Sequence, residues 1–295
     1  MGDGSQWALF WESWELFREA ALSGAMMGAL LGMMGVYVVL RRMVFLSAAL
    51  SQTAGLGVTL AFYGQLHLGL TGAWASPTVG AALTTFLAAL LLMLDRSTDA
   101  GRRDSLLGLA FLVGSAGTLV VGTKIVQEIQ DIQTLLFGTA VAVLPEDFTL
   151  VWQVTLGLGM VHALCWRGFV EVSFDPDGAA VRGLPARWLE GLLLVTLALA
   201  ISVCTRVLGA LPAFAFSVLP ALAAIRLTPN PARAMLAGAV LGAVCGFGGY
   251  LLAFMQDWPV GASGTLVGIA LVTVVMLGRG VWRLGRRTAR LPSKK

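Results

Sequence analysis

The sequence predicts an all-α membrane protein of about nine transmembrane helices, with the N-terminus outside and the C-terminus inside. Three observations carry that expectation. The first is composition: of 295 residues, 57% are hydrophobic and only 12% charged, at a mean hydropathy of +0.82. Soluble domains carry roughly 25% charged residues. So few charges cannot cover a soluble surface, which excludes a conventional soluble enzyme, a disordered chain and a disulfide-stapled secreted module. The second is a series of nine apolar stretches, each long enough to cross a hydrocarbon core that takes about 20 helical residues. The third is the basic residues. With the N-terminus outside, Arg41, Arg42, Arg96, Arg102, Arg103, Arg167, Arg182, Arg187, Arg226, Arg233, Arg279, Arg283, Arg286, Arg287, Arg290, Lys294 and Lys295 all fall inside, 17 of the 20. Only Arg18, Lys124 and Arg206 fall outside, and one missed span would scramble this bias.

The chain opens with an acidic segment that lacks a basic n-region and does not read as a cleavable signal peptide. Residues 7–19 alternate bulky apolar groups with acids and include Trp7, Trp11 and Trp14. That pattern suggests an amphipathic helix at the outer interface, with a longer first span as the alternative, so 1–19 is set apart as an outer interfacial segment. The expected spans are 20–40, 43–63, 78–94, 106–121, 148–166, 188–208, 211–227, 232–256 and 262–278. They form one transmembrane domain, 20–278, with an inner loop at 171–188 and a basic cytoplasmic tail at 279–295. The stretch 133–144 is too short to span and reads as a re-entrant half-helix, which needs protein-lined space.

Two spans carry small residues in register. Gly24, Gly28 and Gly32 recur at four-residue intervals in the first span, and Gly238, Gly242 and Gly246 do so in the eighth. Such spacing lets helix backbones approach closely in lipid, so both stripes read as packing seams, one of them a candidate subunit contact.

The chemistry of the spans is defined by what they lack. No Asp, Glu, Lys or Arg lies in mid-span; Glu190, Arg206 and Arg233 sit near span ends. Ion-coupled transporters need buried ionisable groups, and a lone His162 reads as a packed residue rather than a relay. Energy for any transport must therefore come from elsewhere. The chain does not hydrolyse nucleotide itself: GTLVVGTK at 117–124 places Thr123 between the glycine and lysine that a phosphate-binding loop keeps adjacent. No H-E-x-x-H occurs, and no Ser, His and Asp placement suggests a triad. Cys165, Cys204 and Cys245 are isolated and read as small core residues. Met26, Met27, Met33, Met34 and the outer-loop His67 are better explained by packing and solvation than as soft-metal sites.

The inner loop, EVSFDPDGAAVRGLPARW at 171–188, predicts a short helix from Asp175 or Asp177 through Gly183, acidic at its start and with Arg182 near its end. Such a helix between two spans is a handle for a cytosolic partner, or an ordinary solvated connector. In this context the chain resembles the permease subunits of ABC-type importers for zinc, manganese and iron. The resemblance runs through GVYVVLRRMVFLSAALSQTAGLGV at 35–58, LLFGTAVAVLPEDF at 135–148, VSFDPDGAAVRGLP at 172–185 and VLGALPAFAFSVLPALAAIRL at 207–227. It implies a multi-pass protein of the bacterial cytoplasmic (inner) membrane, importing a divalent metal or a metal complex. The loop would then be the coupling helix that docks in a cytosolic ATPase, through Phe174, Asp175, Pro176, Ala179, Ala180, Arg182, Gly183, Leu184 and Pro185. ATP and its Mg would sit on that partner, leaving no cofactor on this chain. The other implied partners are an extracytoplasmic solute-binding protein, a second permease copy or a paralogous permease, and membrane lipid, with no nucleic acid. Ser47, Ala48, Ser51, Gln52 and Thr53 of the second span and Pro220 of the seventh are the expected translocation path.

One departure from the family pattern bears on the cargo. After Arg-Arg-Met, family members carry Gly-Asp-x-x-x-His, and the Asp and His positions are Ala48 and Gln52 here. Asp and His four apart share a helix face and could hold a passing divalent ion. Ala48 cannot ligate, and Gln52 offers only a neutral carbonyl oxygen, so no metal site is assigned. Three readings stand: a paralogous partner supplies the ligands, the cargo is a chelate or another small solute that needs only a polar lining, or transport is lost and a membrane scaffold remains.

Overall fold

A computed structural model describes residues 10–12, 14–94, 100–125 and 143–288. Ten α-helices account for most of them: α1 (Trp14–Leu40), α2 (Val44–His67), α3 (Pro77–Leu94), α4 (Ala100–Gly122), α5 (Pro145–Phe174), α6 (Pro176–Val181), α7 (Ala186–Leu208), α8 (Ala210–Leu227), α9 (Pro231–Gln256) and α10 (Val260–Thr288). All but α6 are long and apolar enough to cross a membrane, which gives nine spans among the described residues, each overlapping an expected one. Connections such as 41–43 and the single Gly209 force successive spans to run antiparallel. The turns after α1, α5 and α8 therefore share one end of the bundle, the basic end, with the C-terminus of α10. The 133–144 segment lies outside the described residues except for Val143 and Leu144, which lead into α5.

Burial divides the spans into two classes. Helices α1, α2, α7 and α8 are largely enclosed, whereas α3, α4, α5 and α10 leave most of their length uncovered. Helix α7 is central, in contact with α1, α2, α3, α5 and α8. The main core joins Met27, Leu31 and Met34 of α1 to Leu46 and Leu50 of α2, Leu197, Ile201 and Cys204 of α7, Phe216 of α8 and Cys245 of α9. The methionines and two of the cysteines are thus packing residues, as apolar side chains without a metal-ligand spacing should be.

The two glycine stripes meet each other. Gly24 lies against Gly246, Gly28 against Gly242 and Gly32 against Gly238, so α1 and α9 cross antiparallel with backbones in contact. A Cβ on Gly24 would stand 3.2 Å from the Gly246 carbonyl oxygen, and Cβ atoms on Gly28 and Gly32 would collide with the carbonyls opposite. In lipid no hydrophobic force separates helix from solvent, so this close van der Waals contact is the stabilising term. Both stripes serve one seam within the chain.

Trp14 to Glu19 continue the helix of the first span rather than bending away from it. Phe10 is buried, with its ring centroid 5.3 Å from Phe254 of α9, and Phe17 lies 5.6 Å from the same ring. The fifth span also exceeds expectation: α5 continues eight residues beyond Trp166. Arg167 and Glu171 signal the end of the apolar stretch, yet a helix needs only satisfied backbone to continue, and this extension carries α6 beyond the spans.

Candidate functional site

The 171–188 loop is a fully built turn–helix–turn. Asp175 leaves α5 in an extended conformation and its Oδ1 accepts from the Gly178 N–H at 2.9 Å, capping α6. Pro176 occupies the first turn, where its missing N–H costs nothing. The helix ends with Leu184 N–H donating to Ala179 O and Gly183 N–H to Ala180 O, each at 3.0 Å, and with Gly183 at φ +82°. This is the glycine-terminated cap in which a residue lacking Cβ turns the chain at no steric cost. Ala179 is fully buried beneath the helix. On the outer side Phe174, Val181 and Trp188 are 60%, 89% and 76% exposed, beside exposed Pro176, Ala180, Gly183 and Pro185, with Leu184 half-buried. Asp175, Asp177, Arg182 and Arg187 are exposed as well, and Arg182 pairs with Glu171 at 3.4 Å. Exposed apolar side chains interspersed with charges on a capped helix between two spans suit a protein interface.

Behind the loop lies a cluster that sequence reading did not single out. The Arg41 side chain, only 7% exposed, pairs with Glu190 Oε1 of α7 at 3.1 Å. Its Nη2 also donates to the Val172 carbonyl and its Nε to Ser173 Oγ of α5, both at 3.2 Å. Burial lowers the Arg41 pKa from its ordinary value, and the Glu190 carboxylate opposes that shift. The signal in the sequence was faint: opposite charges flanking two spans at the same end of the bundle. At the far end, Arg206 of α7 lies 3.8 Å from Asp147 of α5. That pairing gives one of the three exceptions to the basic-residue bias a local partner.

The expected path residues lie on α2 and α8, two helices in contact. Ser47 and Ser51 are buried on one face of α2, Ser51 Oγ donating to Ala48 O at 2.9 Å while Ser47 Oγ has no partner among the described residues. Ala48 and Gln52 share a second face, with Gln52 half-buried. Thr53 Oγ1 donates to Leu50 O at 2.9 Å, its backbone carbonyl accepts from Thr84 Oγ1 of α3 at 2.8 Å, and the residue borders an apolar cleft of about 260 Å³ between α2, α3 and α4. Pro220 packs on α1, where a Cβ on Gly32 would stand 3.2 Å from its own Cβ. Among the described residues no three His, Cys, Asp or Glu side chains are grouped to hold a metal ion. His162 is buried with Nε2 3.0 Å from Thr196 Oγ1 and its ring against Tyr37 and Phe169, as a packed residue would be. His67 stacks on Tyr63 at 4.5 Å.

Known proteins resemble this chain over most of its length. The chain is similar to the manganese transport system membrane protein MntC of Halalkalibacterium halodurans, with 26% identity over 88% of this chain and 86% of that one. It is also similar to the high-affinity zinc uptake system membrane protein ZnuB of Haemophilus influenzae, with 24% identity over 90% and 98%. Its fold matches a chain in the structure of PsaBC from Streptococcus pneumoniae in complex with Fab, at a TM-score of 0.78 and 21% identity, covering 91% of this chain and 94% of the other. The model of the ABC 3 transport family spans residues 13–279, and the chain, a multi-pass membrane protein, belongs to that family.

Proposed function

We propose that the chain is the permease subunit of an ATP-driven importer that carries a divalent metal, or a complex of one, into the cell. The single observation that carries this reading is the α5–α6–α7 loop, a rigidly capped helix presenting Phe174, Val181 and Trp188 at the basic end of the bundle. With the basic end in the cytoplasm, as the distribution of arginines favours, that surface meets a separate ATPase subunit that binds ATP and Mg²⁺. A solute-binding protein delivers cargo to the opposite end. The metal class is supported by the relatives, whose names specify manganese and zinc transport.

A second reading concerns the cargo, and Ala48 and Gln52 favour it. A free divalent ion must exchange its waters for protein ligands, and the α2 face supplies neither a carboxylate nor an imidazole. A metal chelate keeps its ligands and needs only a polar lining, and a paralogous partner could supply ligands from its own second span. Reconstitution with the ATPase and binding protein, followed by ATP-dependent uptake of free and chelated Mn²⁺ and Zn²⁺, tests both. Uptake of any of these probes that needs ATP supports the importer; its absence for all of them in a fully assembled complex contradicts it.

A further inference from the structure

Arg41 touches three elements that an ATP-driven cycle must move together. Its guanidinium holds Val172 and Ser173 in the last turn of α5, immediately before the coupling helix, and Glu190 in α7, just after it. One side chain therefore grips both stems of the loop. Its backbone belongs to the turn between α1 and α2. There Met43 N–H donates to Val38 O at 3.0 Å and Arg42 N–H to Val39 O at 3.1 Å, with Arg42 at φ +57°. That is the same 6→1 and 5→2 bonding that closes α6, here with an arginine in the left-handed position where glycine is usual. The turn is stiff and only three residues long, so a force on Arg41 reaches α2 without a compliant linker. Helix α2 carries Ala48 about two turns and Gln52 about three turns beyond Arg41.

We infer that Arg41 is a positioning residue that transmits displacement of the coupling loop to α2, so that the ATPase moves the Ala48 and Gln52 face through this one guanidinium. The inference rests on the importer reading. Arginine suits the task because its donors are fixed in one plane, so three acceptors on two helices define a single orientation. A lysine can satisfy the charge of Glu190 but not all three contacts. The neighbouring Arg42 is exposed and offers a control in the same turn.

The test uses the full chain assembled with its ATPase and reconstituted with the binding protein, comparing wild type, Arg41→Met, Arg41→Lys, Ser173→Ala and Arg42→Met. Three quantities are read: retention of the ATPase, ATP hydrolysis, and ATP-driven uptake of Mn²⁺ and Zn²⁺, each free and as the citrate chelate. Arg41→Met is expected to keep the ATPase and hydrolyse ATP within about twofold of wild type while uptake per ATP falls at least tenfold. Arg41→Lys recovers uptake per ATP to within about threefold, Ser173→Ala loses about twofold, and Arg42→Met matches wild type. Unchanged uptake per ATP in Arg41→Met overturns the inference. So does loss of ATPase retention together with uptake in both Arg41 variants, which marks a purely architectural residue. Absence of uptake by the wild type defeats the importer reading itself, and the inference with it.

Discussion

The 171–188 loop and the Ala48–Gln52 face of α2 differ in how completely they are built. In the loop, Asp175 caps α6, Gly183 closes it, Ala179 seats it and Arg182 reaches back to Glu171. On α2, Ser47 Oγ is buried without a partner among the described residues, and Ala48 and Gln52 stand where the family resemblance implies an Asp and a His. Under the proposed function, the loop is the side that meets a motor and the α2 face the side that meets cargo. Under that proposal, the contrast is between a fully capped docking loop and a cargo face without carboxylate or imidazole.

The strongest way to break this comparison is to fill the exposed side of α6. Ala180→Trp is expected to weaken ATPase binding at least thirtyfold, about 2 kcal/mol, without changing membrane insertion or the thermal unfolding midpoint in detergent. Wild-type affinity in a titration with the purified ATPase would move the docking surface elsewhere. The next effect is a gain. Ala48→Asp combined with Gln52→His places a carboxylate and an imidazole four residues apart on one helix face, and should raise affinity for free Mn²⁺ or Zn²⁺ about tenfold, near 1.4 kcal/mol, by calorimetry. No gain would mean that this face does not meet the cargo. Gly183→Ala forces a Cβ into φ +82° and is expected to cost about 1 kcal/mol, lowering Tm by about 2 °C and docking about fivefold. The smallest effect belongs to Arg182→Ala. Its pair with Glu171 is about half exposed on both sides, so stability should change by less than about 0.5 kcal/mol and docking by less than twofold.

The sequence made the spans and the loop legible because both are local signals. Hydropathy over about 20 residues is enough to find a span, and Asp-Pro followed by a glycine closure is enough to find α6. The glycine stripes were visible on each helix, but their pairing joins residues more than 200 positions apart, and spacing alone does not name a partner. Arg41 and Glu190 were likewise visible only as span-end charges. The path residues were read along the chain, and residues two apart on a helix, such as Ser51 and Thr53, are about 200° apart, so spacing alone does not place them on one face of α2.

The most direct measurement is ATP-dependent uptake by a reconstituted complex containing two copies of this chain, presented in parallel with free Mn²⁺ or Zn²⁺ and with the same metals as chelates. Uptake of a chelate with little or no uptake of the free ions is the predicted result, and Ala48→Asp with Gln52→His should restore passage of the free ion. Free Mn²⁺ or Zn²⁺ entering through the unmodified homodimer as fast as any chelate would contradict it.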